Sequence, residues 1–333
     1  MKLAIVLFNL GGPDSLEAVE PFLRNLFGDP AVISLPDFLR KPLAWFIAHK
    51  RGPVARDIYE KIGGRSPILD ETKAQAAALQ RELSEHDTRV FIAMRHWKPF
   101  TEETAKEVAA FDPDRVVALP LYPQFSITTT GSALLEWKRA AKAAGVSAPL
   151  SEICCYPEEP GFIAALAERI RKTMSLAKPE ISYRLLLSAH GLPKRVVQSG
   201  DPYQWQIEQT AAAVVKQLGI VDYSICYQSR VGPLEWIGPA TDAEIRRAGA
   251  EGKGLIICPV AFVSEHSETL VELDIEYAKL AAMSGVTDYL RVPAVGVTAP
   301  FIKGLAALVR QVMEEKTVSK RCPSGFCRCG NTR

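Results

Sequence analysis

Short apolar runs alternate with longer segments whose apolar residues recur at helical spacing. The runs are rich in Val, Ile and Leu and lack polar alternation, which is typical of strands buried on both faces of a parallel sheet. Four runs lie in the first half of the chain, at residues 3–8, 90–94, 116–119 and 151–155, and four in the second half, at residues 183–188, 223–227, 254–258 and 289–295. The pattern predicts an α/β protein made of two βαβ-type halves.

The two halves also resemble each other. The string VALPLYPQFSITTTGSALLEW in the first half can be laid beside IICPVAFVSEHSETLVELDIEY in the second. Each contains an apolar strand, a proline, a turn rich in Ser, Thr or acidic residues, and then a helix. We therefore expect an internal duplication, with an α/β domain at residues 1–155, a second at 156–300, and a closing helix with a cysteine-bearing tail at 301–333.

Composition and charge narrow the class of protein. The 333 residues carry 40 Lys+Arg and 38 Asp+Glu, a net charge of +2, which argues against a nucleic-acid binder. No apolar run approaches the ~20 residues of a membrane span, and no signal-peptide cleavage site follows the first strand. We therefore expect a cytoplasmic protein whose cysteines are thiols or metal ligands. The glycine-rich turns at residues 11–13 and 63–67 match neither nucleotide-binding motif, so no nucleotide cofactor is expected.

Unusual residues gather where the predicted strands end, which is where open parallel sheets bind ligands. His190 directly follows an apolar strand and could act as a general base, or simply bond a neighbouring backbone group. Glu268 opens a helix predicted over residues 267–282, where a carboxylate is also favoured by the helix dipole alone. Glu272 and Glu276 continue at a spacing of four, giving either a solvated face or a path for protons and cations toward a metal site at His190 and Glu268.

Aromatic and basic residues near the strand ends would suit a flat, apolar ligand that carries carboxylates. The segment at residues 35–49 is amphiphilic and punctuated by proline, and predicts either a lip that touches a membrane or a core-packed helical hairpin. Three cysteines fall within eight residues of the tail, at Cys322, Cys327 and Cys329. Such clustering favours a two-iron iron–sulfur cluster over zinc or free thiols, with Cys155 or Cys154 as the fourth ligand.

The string LLLSAHGLPKRVVQSGDPY resembles the signature of the ferrochelatase family, whose members insert Fe²⁺ into a porphyrin. FNLGGPDS, IYEKIGGRSPI, LYPQFSITTTGSAL, YQSRVGPLEWIGPAT and VAFVSEHSETLVELDIEY agree with the family in the same order, so the likeness runs from about residue 3 to residue 310. The resemblance implies two similar Rossmann-like, chelatase-type domains, each with a parallel sheet flanked by helices, and a porphyrin in the cleft between them.

The resemblance also implies roles for residues. His190 would take pyrrole protons or hold the metal, Glu268 would be its partner, and Glu272 and Glu276 would form an acidic path. Other matches line the porphyrin pocket or lie near its propionates: Leu10, Arg51, Tyr59, Ser66, Arg95, Trp236 and Phe262, with His96 where some relatives carry Tyr. Some members carry a C-terminal [2Fe–2S] cluster. Animal-type members place the internal cluster cysteine where this chain has Ile127, so the fourth ligand must come from elsewhere.

The expected reaction is therefore insertion of Fe²⁺, as a substrate, into protoporphyrin IX to give protoheme, without ATP. The alternatives are a coproporphyrin ferrochelatase, a cobalt chelatase acting on a precorrin, and a non-catalytic heme- or metal-binding redox sensor. A homodimer and a peripheral contact with the inner face of the membrane stay open.

Overall fold

The computed structural model describes residues 1–230, 232, 234–314 and 326. The described chain forms two compact units. Among the described residues, one unit comprises Met1–Tyr122, Ser126–Cys154 and residues 306–314, and the other comprises Pro123–Phe125 and Cys155–Leu305 together with Phe326. Each unit holds one four-stranded sheet among the described residues.

The sheet of the first unit is parallel throughout, in the order β2-β1-β3-β4. Its central strand β1 is buried at every residue after the first, because parallel sheets are covered on both faces. The Trp137 ring packs edge-on against Phe8 of this strand, with centroids 5.9 Å apart. The strands are β1 (Lys2–Asn9), β2 (Asp87–Met94), β3 (Arg115–Pro120) and β4 (Leu150–Glu152).

The helices of the first unit connect these strands. They are α1 (Val19–Phe27), α2 (Asp37–Glu60), α3 (Ile68–Glu82), α4 (Thr101–Phe111), a first π-helical segment (Ile127–Gly131) and α5 (Ser132–Ala144). The amphiphilic segment at residues 35–49 contributes the first half of α2, which contains both Pro42 and Pro53. No helix among the described residues is both long and apolar enough to cross a bilayer.

The second unit repeats the arrangement, with a parallel sheet in the order β6-β5-β7-β8. Its strands are β5 (Tyr183–His190), β6 (Tyr223–Gln228), β7 (Gly254–Pro259) and β8 (Tyr289–Arg291). Its helices are α6 (Pro160–Met174), α7 (Lys194–Gln198), α8 (Tyr203–Leu218), α9 (Thr241–Ala250), a second π-helical segment (Glu268–Tyr277) and α10 (Ala278–Met283), and α11 (Ala299–Glu314) follows.

The two sheets place their strands in the same order, second-first-third-fourth, which confirms the predicted two-fold α/β architecture. Two of the four edge strands are shorter than predicted. The run at 151–155 contributes only β4 and the run at 289–295 only β8; in the second of these runs Pro293 has no N–H to donate to a strand ladder. The helix predicted over 267–282 forms, but Glu268–Tyr277 of it is π-helical.

Candidate active site

The second unit brings a histidine and a carboxylate into direct contact. β5 ends at His190, and the chain that follows the neighbouring parallel strand β7 leads to Glu268 at the start of the second π-helical segment. His190 Nδ1 lies 2.8 Å from Glu268 Oε2. Their side chains are 38% and 26% exposed, so the pair is held in place yet open to a substrate.

Charge outweighs burial in setting the ionisation of this pair. Burial alone would lower the pKa of His190, but the Glu268 carboxylate, and to a lesser extent Glu272, hold that pKa above its ordinary value of 6.5. Burial alone would raise the pKa of Glu268, but His190 and then His266 lower it to about 2. Below its raised pKa, His190 therefore holds a proton against the carboxylate, and above that pKa it can accept one.

Two residues at the end of β6 fix Glu268 and Glu272 together. Ser229 Oγ donates to Glu268 Oε2 at 3.0 Å and also contacts Glu272 Oε2, while its backbone N–H donates to Glu272 Oε1 at 2.9 Å. Gln228 Nε2 donates to Glu272 Oε2 at 2.9 Å and to the Glu268 carbonyl at 3.1 Å. Ser229 has a φ of +61°, a left-handed conformation that non-glycine residues seldom adopt and that often accompanies a functional site.

The row of three glutamates is not uniform in its surroundings. Glu272 is half-buried and also accepts from the Tyr277 hydroxyl at 3.0 Å. Its burial, followed by the charge of Glu268, raises its pKa above the ordinary value of 4.5. Glu276, one turn further on, is exposed. Two neighbouring carboxylates thus have pKa values shifted in opposite directions, and the third faces water.

Apolar and aromatic groups lie close to this pair. A Cβ on Gly191 would come within 3.2 Å of the Trp236 ring and 3.0 Å of the Gln228 carbonyl, so a side chain after His190 would be tightly packed. Trp236 lines a cavity of about 540 Å³, and its indole N–H has no partner among the described residues. Phe262 contacts the buried His266 ring edge-on, with centroids 4.5 Å apart.

A second polar cluster lies in the first unit around Arg95, which follows β2. Arg95 Nη2 pairs with Asp29 Oδ2 at 2.9 Å, and its Nε donates to Ser132 Oγ at 2.7 Å. Ser132 Oγ in turn donates to Asp29 Oδ2 at 2.6 Å. The Asp29 side chain is 1% exposed and that of Arg95 19%, so two buried side chains, Asp29 and Ser132, hold a partly exposed guanidinium in place. Sequence reasoning missed Asp29, which lies in the loop between α1 and α2.

Comparison with known proteins bears on this arrangement. The family model for ferrochelatase matches residues 2–313. The ferrochelatase of Phenylobacterium zucineum is 55% identical over 99% of both chains, and that of Caulobacter vibrioides is 54% identical over 99% of this chain and 95% of its own. The chain belongs to the ferrochelatase family. Ferrochelatases are lyases that insert Fe²⁺ into a porphyrin in heme synthesis, so the resemblance that the motifs indicated is confirmed.

Solved structures agree with the ferrochelatase fold. SirB from Bacillus subtilis with Fe³⁺ aligns with a TM-score of 0.53 at 15% identity, over 94% of this chain and 96% of that one. The sirohydrochlorin chelatase SirB from Bacillus subtilis subspecies spizizenii, in complex with cobalt, aligns with a TM-score of 0.55 at 11% identity, over 95% and 97% of the two chains. These similarities confirm the chelatase-type α/β fold.

The remaining pocket residues suggested by the ferrochelatase motifs lie in the first unit. Leu10 follows β1 and is half-buried. Ser66 is buried against the glycine-rich turn, where a Cβ on Gly12 would come within 2.5 Å of it. Arg51 and Tyr59 both lie on α2; Arg51 is exposed and stacks over the Phe27 ring, whereas Tyr59 is buried.

His96 is the most enclosed of these residues. Its side chain is 1% exposed, and its Nε2 lies 3.9 Å from Asp29 Oδ2. Burial, followed by the charge of Arg95, lowers the pKa of His96 to about 3, so the ring is neutral at physiological pH.

The cysteines divide into three groups. Cys226 and Cys258 are fully buried in β6 and β7, where burial raises the pKa of both thiols. Cys154 and Cys155 are buried after β4, and Gln206 Nε2 donates to Cys155 Sγ at 3.3 Å.

The tail cysteines Cys322, Cys327 and Cys329 lie outside the described residues. Phe326, adjacent to Cys327 in sequence, is described, and its ring lies 5.4 Å from that of Trp205 on α8. Within the described part of the chain, no three His, Cys, Asp or Glu side chains form a group that could hold a metal.

Proposed function

We propose that this ferrochelatase inserts Fe²⁺ into protoporphyrin IX and that His190 accepts the pyrrole protons with Glu268 as its partner. The observation that carries the proposal is the 2.8 Å contact between His190 Nδ1 and Glu268 Oε2. When Nδ1–H donates to the carboxylate, the lone pair of the neutral imidazole is on Nε2, which is the nitrogen that takes a proton.

The reaction exchanges two pyrrole N–H protons for one Fe²⁺, so the site must accept two protons. His190 accepts one at Nε2, and the adjacent Glu268 carboxylate stabilises the imidazolium that results. Glu272 can hold a proton more readily than an ordinary glutamate because its pKa is raised. Exposed Glu276 would pass protons to water. Before His190 takes a proton, its Nε2 and a Glu268 oxygen can instead hold Fe²⁺, and two ligands are few enough to release the ion.

The porphyrin needs an apolar face and cations for its propionates. We assign Trp236, Phe262 and Leu10 to the ring and Arg51, Arg95 and Ser66 to the propionates. Arg95 is suited to this because Asp29 and Ser132 fix its guanidinium plane. We assign His96 and Tyr59, both buried, to the same porphyrin pocket on the strength of the motifs.

The test mixes the protein with Fe²⁺ and protoporphyrin IX under anoxia and follows porphyrin fluorescence. We expect many turnovers for the native chain, and a loss of at least 100-fold for His190→Ala and Glu268→Gln. His86→Ala is the matched control, because that imidazole is exposed on the first unit. Quenching that stops at one porphyrin per chain would identify a binding protein, and faster turnover of coproporphyrin III would identify that substrate instead.

We also propose that α2 contacts the membrane from the cytoplasmic side. Phe38 is 74% exposed, and Leu39, Trp45 and Phe46 are about half exposed on the same helix. Apolar side chains flanked by lysines such as Lys41 and Lys50 suit an anionic bilayer surface. Phe38→Asp should reduce flotation with phosphatidylglycerol vesicles, whereas Leu135→Asp, at an equally exposed leucine on α5, should not. Light scattering without vesicles tests the alternative that a second copy covers this face.

We propose further that Cys155, Cys322, Cys327 and Cys329 hold a [2Fe–2S] cluster. Two contacts support Cys155 over Cys154: Gln206 donates to the Cys155 sulfur, and the preceding residue Trp205 contacts Phe326 beside Cys327. An amide N–H donor suits a thiolate ligand. Visible absorption with iron and sulfide analysis should show a cluster that Cys155→Ser loses and Cys154→Ser keeps. A colourless, iron-free protein purified under anoxia would contradict the proposal.

A further inference from the structure

Arg291, the last residue of β8, forms ion pairs with two carboxylates in and before the second π-helical segment. Its Nε and Nη2 donate to the two oxygens of Asp274, at 2.6 and 2.7 Å, and its Nη1 donates to Glu265 Oε1 at 2.6 Å. The Arg291 side chain is 14% exposed. All three donors used are on one planar guanidinium, so the two carboxylates are fixed relative to each other.

The two carboxylates bracket the residues that the reaction needs. Glu265 precedes the second π-helical segment and Asp274 lies within it, so Glu268 is between the two anchoring points. The same strand makes another contact with the segment, because the Tyr289 hydroxyl donates to the Leu273 carbonyl at 2.7 Å. The backbone N–H of Ala294 also donates to Glu265 Oε1, at 2.9 Å. β8 therefore contacts Leu273 and Asp274 within the segment, and β8 and Ala294 together hold Glu265, which precedes it.

A π-helix needs such support. This geometry is rare because its backbone bonding is less favourable than that of an α-helix, and ten residues is long for it. Burial would raise the pKa of Glu265, but Arg291 holds it below its ordinary value, so the ion pair persists at neutral pH. Lysine in place of Arg291 would keep the charge but could not make three donations in one plane.

We propose that Arg291 is a positioning residue for iron insertion. Through Asp274 and Glu265 it holds the second π-helical segment where Glu268 contacts His190. This inference rests on the proposed role of Glu268. It assigns a function in catalysis to a side chain that does not reach the reacting atoms.

Arg291→Lys tests this, with Arg184→Lys as a matched control. Arg184 is also a strand arginine of the second unit with a side chain only 9% exposed, and it also joins two carboxylates, those of Asp222 and Glu251. It lies six residues before His190 on β5, roughly 20 Å away along the strand. Both substitutions should lower the melting temperature, but only Arg291→Lys should lower kcat, by about 10- to 100-fold, with the KM for protoporphyrin IX within about two-fold.

The decisive measurement repeats Arg291→Lys in the Glu268→Gln background. If Arg291 acts by placing Glu268, it should change the residual kcat by less than about two-fold there. An equal loss in both backgrounds, an unchanged kcat in the native background, or the same loss for Arg184→Lys would overturn the inference. Asp274→Asn, at a more exposed side chain, replaces Arg291→Lys if that variant fails to fold and carries the same expectations. Full activity of Glu268→Gln itself would instead refute the proposed function.

Discussion

Ser229 offers a test that separates a hydrogen bond from backbone strain. Its hydroxyl contacts both Glu268 and Glu272, and its backbone has a φ of +61°. Alanine removes the hydroxyl and keeps the strain, whereas glycine removes both. The backbone N–H that donates to Glu272 stays in either variant.

The magnitudes follow from these contacts. A single hydroxyl proton serves one acceptor at a time, so one bond to a charged group is lost, about 1.5–3 kcal/mol. Because Glu268 is 26% exposed, we take the lower end, about 1.5 kcal/mol for Ser229→Ala. A left-handed residue with a side chain costs about 1 kcal/mol more than glycine, so Ser229→Gly should lose only about 0.5 kcal/mol.

Urea denaturation at neutral pH, followed by circular dichroism, measures the free energy of unfolding of each variant. Turnover of Fe²⁺ and protoporphyrin IX gives a second readout, in which Ala and Gly should be equally impaired because both lack the hydroxyl. A glycine variant no more stable than the alanine variant would refute the strain argument. An alanine variant as stable as the native chain would refute the hydrogen-bond argument.

Two further predictions concern charge. The pKa of His190 is raised, so kcat should rise with pH around a midpoint above 6.5. In Glu268→Gln burial acts without the Glu268 carboxylate, so this midpoint should move to lower pH. A midpoint that does not move in the pH–rate profile would contradict the pairing. Asp29→Ala should lower the free energy of unfolding in urea by about 3 kcal/mol, because it leaves the largely buried guanidinium of Arg95 without its carboxylate. It should also raise the porphyrin KM more than it lowers kcat, and Asp29→Asn should have smaller effects. An unchanged KM would argue against a propionate role for Arg95.

The central strands could be predicted closely from the sequence. The run at 3–8 became β1 within one residue at each end, because a strand buried on both faces is an unbroken apolar run. The edge strands β4 and β8 could not, because where pairing stops depends on the neighbouring strand rather than on hydrophobicity. The duplication was visible because both halves repeat the same strand, proline, turn and helix order.

The contact between His190 and Glu268 followed from a rule of topology, since side chains after the carboxyl ends of neighbouring parallel strands meet at one edge. No such rule predicted which side chains would contact Arg95. Asp29 precedes Arg95 by 66 residues and Ser132 follows it by 37, and nothing in the local sequence marks either as a partner for a guanidinium. Ser229 directly follows β6, and its left-handed backbone carries no sequence signal because the residue is not glycine.

The three glutamates show why spacing alone could not assign chemistry. A repeat of four placed Glu268, Glu272 and Glu276 in one row, as though they were equivalent. In the structure Glu268 is beside an imidazole, Glu272 is half-buried beside that charged neighbour, and Glu276 faces water. The consequence is a carboxylate that stays ionised next to one that protonates more easily, which supports the proposal that one holds charge and the other carries protons. That division is produced by His190, Ser229 and burial, none of which a periodic pattern encodes.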